Sequence, residues 1–339
     1  MAWDQFILPW EVPALPPVDV ASLSGIQVEE TPGKVSVQGP DFTVTIGRES
    51  GALEGFAYKG QELISAPLVP NFWRKPLDND IKNEWDPTFT YGVGGMPARS
   101  GIWRDAGRQR SVTKFTVSQP QPQVVRVAVE ADLTEVNSTY RTTYIIYGNG
   151  DVVVEGSLMP GSEDLPNLPR FGMQLEVPGS LDNITWYGRG PHDTYWDRQE
   201  GGAFGIWSGP VTDFIHDYVR PQENGNKTGV RWVALSGENG VGLLAAGQPE
   251  LYVSAWPYTS GDLEQAAHIN ELPRRNTITL NLDYRQMGVG GDDGWSENAR
   301  PRPQYRLPAQ PYGYSFVLRP YAPGLGDLVQ VARQTRAEH

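Results

Sequence analysis

The chain has no cysteine at all, which excludes disulfides, thiolate catalysis and cysteine-ligated zinc. Only 4 of its 339 residues are histidine, and no two of them have the spacing of a metal-binding pair. Positive charge is also scarce. With 28 Lys and Arg against 40 Asp and Glu, the net charge is -12, which speaks against a nucleic-acid or anionic-membrane partner. No apolar run is long enough to span a bilayer, and Met1-Ala2-Trp3-Asp4 does not open a secretion signal, so a cytoplasmic location is expected. No glycine-rich turn leads from a strand into a helix, so a dinucleotide site is not expected, and no serine stands in a nucleophile elbow.

Glycine (38) and proline (29) divide the chain into short segments rich in Val, Thr, Tyr and Trp, a pattern of strands and turns. Alternating runs mark strands at Lys34–Val37, Phe42–Ile46, Leu53–Tyr58, Val112–Val117, Val124–Leu133, Thr139–Tyr147, Val152–Leu158, Arg170–Val177 and Asn183–Tyr187. The same pattern continues at Gly229–Leu235, Val241–Ala246, Leu251–Ala255, Thr277–Tyr284 and Tyr312–Leu318. One helix is expected over Leu263–Leu272, capped by Ser260 or Asp262 and ended by Pro273. About fifteen strands with one short helix read as an all-β, two-sheet sandwich. The expected division is residues 1–24 as a strand plus Pro-rich linker, 25–321 as the β domain, and 322–339 as a tail. The opening strand, followed at once by a linker, reads as the cut end of a preceding domain.

With 11 Trp and 15 Tyr the chain is well supplied with rings on which sugars stack. Two aspartate clusters, Asp78/Asp80 and Asp292/Asp293, are candidate catalytic carboxylates. Neighbouring aspartates on a turn usually point apart, however, so bracing of loop backbone is the expected role. His192 with Asp193 is a candidate acid–base pair.

Four motifs then carry a resemblance. Phe72-Trp73-Arg74-Lys75-Pro76-Leu77-Asp78-Asn79-Asp80 resembles F-x-R-A-P-x-D-N-D, and Gly190 to Arg198 (GPHDTYWDR) resembles G-P-x-E-x-Y-x-D-R. Pro221-Gln222-Glu223-Asn224-Gly225 resembles P-S/Q-E-N-G, and Met287 to Trp295 (MGVGGDDGW) resembles M-G-x-G-G-D-D-S-W. In this order they are similar to the C-terminal domain of β-galactosidases of glycoside hydrolase family 2, over about residues 2 to 320. The resemblance implies a β-supersandwich of the galactose mutarotase-like kind, preceded by an immunoglobulin-like domain. It also implies a non-catalytic role in hydrolysis of terminal β-D-galactosides, because the family's catalytic glutamates lie in a TIM-barrel domain or large subunit. No catalytic residue and no metal ligand is therefore expected in this chain, and any Mg or Na would be bound by other domains of the full enzyme.

In the family a Trp from this domain stacks on the aglycone sugar, and Trp295 holds the matching position. Lys82, Asn83, Glu84, Trp85 and Asp86 correspond to a loop at the active-site rim, with Lys82 standing where the family usually has Gly. Asp193 likewise replaces the family's Glu. Two other classes remain open at this stage: a stand-alone aldose 1-epimerase-like enzyme working through His192, and a carbohydrate-binding module.

Overall fold

The computed structural model describes residues 4–6, 8–10, 18–81, 100–293 and 297–334. Seventeen strands form one hydrogen-bonded network in which every pairing is antiparallel. The network turns on β15 (Gly242–Trp256). The first half of β15, Gly242 to Gln248, pairs with β17 (Tyr312–Tyr321), and its second half, Tyr252 to Trp256, pairs with β16 (Thr277–Gln286).

From β17 one layer runs through β10 (Val152–Met159), β9 (Ser138–Tyr147) and β8 (Val124–Leu133) to β7 (Ser111–Gln121). From β16 the other runs through β11 (Arg170–Pro178) and β6 (Ala66–Asn71) to β4 (Leu53–Tyr58), which also holds the two-residue β5 (Gln61–Glu62). It then continues through β3 (Phe42–Gly47) and β2 (Lys34–Gln38) to β1 (Gln27–Glu30). On its other side β15 carries β14 (Lys227–Ser236), then β12 (Asn183–Gly190) and the edge strand β13 (Ala203–Pro210).

Strand periodicity explains why these segments close on one another. Successive side chains of a strand point to opposite faces. Val35 and Val37 of β2, Val125, Val127 and Val129 of β8, and Met173, Leu175 and Val177 of β11 all meet in one buried core. Leu280 and Leu282 of β16 and Phe316 and Leu318 of β17 complete it. The turn Gly148–Asp151 joins β9 to β10 as expected, with Gly150 at φ 87°, a backbone conformation that favours glycine.

Central strands β11 and β16 are buried on both faces, and their second face is polar. Arg170 and Gln174 of β11, Thr279, Asn281 and Asp283 of β16, and Ser254 of β15 alternate with the core residues and are all nearly inaccessible. Such a face needs a polar cover, and the loops described below supply it.

The helix expected over Leu263–Leu272 is shorter and begins earlier, at Ser260–Gln265. Its cap is Thr259, not Ser260 or Asp262. Thr259 accepts from the Asp262 amide while the Asp262 carboxylate accepts from the Thr259 amide, a reciprocal capping box. Two further short helices, Asp78–Ile81 and Leu328–Arg333, join it. Leu328–Arg333, within the expected tail, buries Val331, and the backbone carbonyl of Val331 accepts from Arg319. Residues 4–6 and 8–10 form no regular element, and the Gln5 side chain bonds both the N–H and the C=O of Phe204 on the open edge of β13. No helix among the described residues is long and apolar enough to cross a membrane.

Candidate functional site

The four motifs lie far apart in sequence, and the fold brings them together over the polar face of β11 and β16. The first loop, running from Asn71 to Asp80, starts from an aromatic anchor. Phe72 stacks on Phe171 of β11 with centroids 6.2 Å apart and meets Trp103 and Tyr140 edge-on at 5.7 Å. Pairs of this kind stabilise by about 0.5–1.5 kcal/mol each beyond their buried area.

Arg74, almost fully buried, then ties this loop to the fourth. It donates to the carbonyls of Met287 (2.6 Å) and Gly288 (2.9 Å) and forms an ion pair with Asp80 at 3.2 Å. Asp80 also accepts from the Leu77 amide at 3.0 Å, closing the turn. Asp78 accepts from Gln222 of the third motif at 3.0 Å, and its amide donates to the same side chain at 3.3 Å.

The second and third motifs lock the arrangement from the other side. One oxygen of Asp197 accepts from the amides of Val289 (2.9 Å) and Gly290 (2.8 Å), fixing the glycine-rich loop from outside. This contact explains the glycine at 288, since a Cβ there would lie 2.6 Å from the same oxygen. Glu223 accepts from Gln286 at 3.3 Å and forms an ion pair with Arg170 at 2.9 Å. Arg170 in turn lies 3.4 Å from Asp283.

This buried network sets two guanidinium groups, Arg74 and Arg170, against three carboxyls, Asp80, Glu223 and Asp283. Three ionised carboxylates would exceed the two cations, so the network favours holding a proton. Burial raises the Asp283 carboxyl to about 8, opposed by Arg170 and reinforced by Glu223. Burial raises Glu223 as well, against the pull of Arg170 and Arg74. Tyr195, fully buried beside Glu223, is pushed well above its ordinary value. Lys227 has a different setting. It donates to the carbonyls of Gly225 (2.9 Å) and Phe214 (3.4 Å), and burial lowers it to about 8.

Of the residues picked out by sequence, Asp78 and Asp80 thus sit inside the knot of loops. Asp292 is exposed, paired to Arg302 at 2.8 Å, with its amide bonded to the Asn298 carbonyl at 2.7 Å; Asp293 also has a partner. Trp295 and the rim segment Lys82, Asn83, Glu84, Trp85 and Asp86 lie outside the described residues. His192 is exposed at the mouth of a cavity of about 290 Å³ that it shares with Asp193, Asp213 and His216, while Asp193 pairs with Arg198 at 3.2 Å. A cavity of about 180 Å³ lies among Asp78, Tyr195, Gln222 and Glu223. Among the described residues, no group of three or more His, Cys, Asp or Glu is placed to hold a metal ion.

Sequence reasoning passed over Arg74, Arg170, Asp283 and Gln286, which hold the site together. Arg74 stands at the Arg of the first motif, whereas the only signal for Arg170, Asp283 and Gln286 was polar alternation along strands, which ordinarily marks a solvent face.

Residues 38–318, which contain all four loops, match the family described as β-galactosidase small chain. A β-galactosidase of Priestia megaterium is 36% identical over 94% of this chain and 29% of its own length. One of Vibrio cholerae is 31% identical over 94% of the chain and 30% of its length, and one of Lactobacillus delbrueckii subsp. bulgaricus is 32% identical over 81% and 26%. The chain therefore spans less than a third of the length of these relatives. Among solved structures, a galactose 1-epimerase from Lactobacillus acidophilus covers 89% of this chain and 99% of its own at 12% identity, with a TM-score of 0.46. By the match that contains its four interlocked loops, the chain belongs to the β-galactosidase small-chain family.

Proposed function

We propose that this chain is the non-catalytic part of a retaining β-galactosidase of glycoside hydrolase family 2, and that it completes the active-site wall for hydrolysis of terminal β-D-galactosides. The observation that carries this reading is the knot itself. Arg74 and Asp197 fasten the loop from Met287 to Asp293 directly, while Asp80 holds Arg74, Gln222 holds Asp78 and Glu223 holds Gln286 at the foot of the loop. A loop held this firmly offers a partner a preorganised surface. Preorganisation of this kind is what a binding platform needs.

In this reading Trp295 stacks on the aglycone sugar, and residues 82–86 form part of the rim. The acid–base and nucleophile carboxylates belong to a TIM-barrel domain or large subunit, as would any bound Mg or Na. A cytoplasmic location is part of this reading. The test is complementation. The isolated chain is expected to be inactive on o-nitrophenyl galactoside, and adding it to its barrel-bearing partner is expected to restore hydrolysis. A matched pair that gains no activity refutes the proposal.

A further inference from the structure

Arg285 is a half-buried guanidinium without a counter-charge. Its Nε is shut off from solvent without a hydrogen-bond partner, and among the described residues the guanidinium forms no hydrogen bond or ion pair. The buried arginines of this acidic chain differ sharply: Arg74 takes Asp80, Arg170 takes Glu223 and Arg319 takes Asp151.

A bulge produces the exception. In a regular strand Asp283 and Arg285 would share a face. Here Asp283 stands opposite Gly172 and Arg285 opposite Phe171, so one step on β11 spans two on β16 and Tyr284 is the extra residue. Because Gly172 and Phe171 face opposite ways, Arg285 is carried to the face opposite Asp283. Bulges commonly re-aim a side chain in this way.

At this end of the strand Arg285 sits in an aromatic box. Its Cζ lies 4.4 Å from the Trp196 ring centroid, 5.3 Å from that of Tyr284 and 5.9 Å from that of Tyr252, while Tyr305 meets Trp196 edge-on at 5.8 Å. The box stands at the root of the candidate site. The Gly288 amide donates to the Tyr305 carbonyl at 2.8 Å, and Asp197, next to Trp196, grips Val289 and Gly290.

We infer that this box is a docking point for a carboxylate side chain, Asp or Glu, on the catalytic part of the enzyme; the inference rests on the proposed partnership. Trp, Tyr and Arg are the residues most enriched where binding energy concentrates, and a planar guanidinium between rings matches a carboxylate bidentately. The catalytic part is the occupant argued for because the chain covers only 29% of its Priestia megaterium relative, so much of the enzyme lies beyond it. Charge complementarity supplies the chemistry. A stacked sugar fits the box less well, since Arg285 itself lies over the Trp196 face.

The test titrates the full chain into its catalytic partner polypeptide, following both heat of binding and hydrolysis of o-nitrophenyl galactoside. Arg285→Met is expected to raise the Kd ten- to a hundredfold, and Arg285→Lys, which keeps charge but loses the planar fork, to fall between. Amides of residues 282–286 and 194–198 are expected to gain protection from hydrogen exchange on assembly. If the native chain binds and activates but both variants bind as tightly and the amides do not change, this inference fails and the partnership stands. If the native chain does not bind, both fail. Arg285-dependent binding of lactose, or Arg285-dependent self-association, by the chain alone overturns it in favour of a sugar or a second copy.

Discussion

Replacing Arg74 with Met tests whether the knot of loops depends on one buried cation. The substitution removes the partner of the Asp80 carboxylate, which is only 5% exposed, and strips the donors from the Met287 and Gly288 carbonyls. Breaking a buried ion pair by deleting one member costs about 3–5 kcal/mol, mostly because the surviving charge is left uncompensated. With a urea m-value of about 3 kcal/mol/M, that loss moves the unfolding midpoint down by roughly 1–2 M. A local readout accompanies the global one. The Val289 and Gly290 amides, bonded to Asp197, are expected to lose protection from hydrogen exchange as the loop detaches. Asp80→Asn in the Arg74→Met background should recover part of the loss, giving a coupling energy of about 0.5–3 kcal/mol in a double-mutant cycle. A midpoint within experimental error of the native chain, with unchanged exchange at Val289 and Gly290, would show that the loop is held without Arg74.

Three further outcomes are expected. Asp283 keeps its proton to about 8 in the folded chain, against a usual value of 3.8. Above pH 4 the unfolded chain therefore binds fewer protons, so this group makes stability fall as pH rises toward 8, by up to about 1.4 kcal/mol per unit, and adds no further slope above it. Urea titrations at pH 5 and pH 8 should show a smaller decline for Asp283→Asn than for the native chain, and equal declines would refute the assignment. Asp197→Ala removes the acceptor shared by two loop amides; a cost of about 1–3 kcal/mol is expected, with faster exchange at Val289 and Gly290 as the check. In the assembled enzyme, Trp295→Ala is expected to weaken aglycone binding by about 1–2 kcal/mol while leaving the thermal melt of the chain unchanged. The diagnostic ratio is transglycosylation to hydrolysis, which should drop if the indole is the platform.

The strands that sequence reveals are those with one apolar and one solvent-leaning face, such as β2 with Val35 and Val37 or β8 with Val125, Val127 and Val129. Those it conceals break that rule for identifiable reasons. Strand β6 carries Pro67 and Pro70, and β13 is interrupted by Gly205 and Gly209. Strand β15 runs unbroken through Pro249, whereas alternation divides it into two. The short helix begins at Ser260 because Thr259 is its cap and Asp262 closes the capping box from the third helical position instead of starting the helix.

Local chemistry thus determined the all-β class, most strand positions and the four motifs, because alternation and turn residues are properties of neighbours in sequence. The polar ion network could only come from tertiary structure. Arg170, Glu223 and Asp283 span more than a hundred residues, and each alone reads as a solvent-facing charge. They became a buried, partly protonated cluster when loops from distant segments covered the second face of β11 and β16. The bulge at Tyr284 decided the fate of Arg285 in the same way, since a one-residue slip between paired strands reverses a face without leaving a mark on the alternation of either strand.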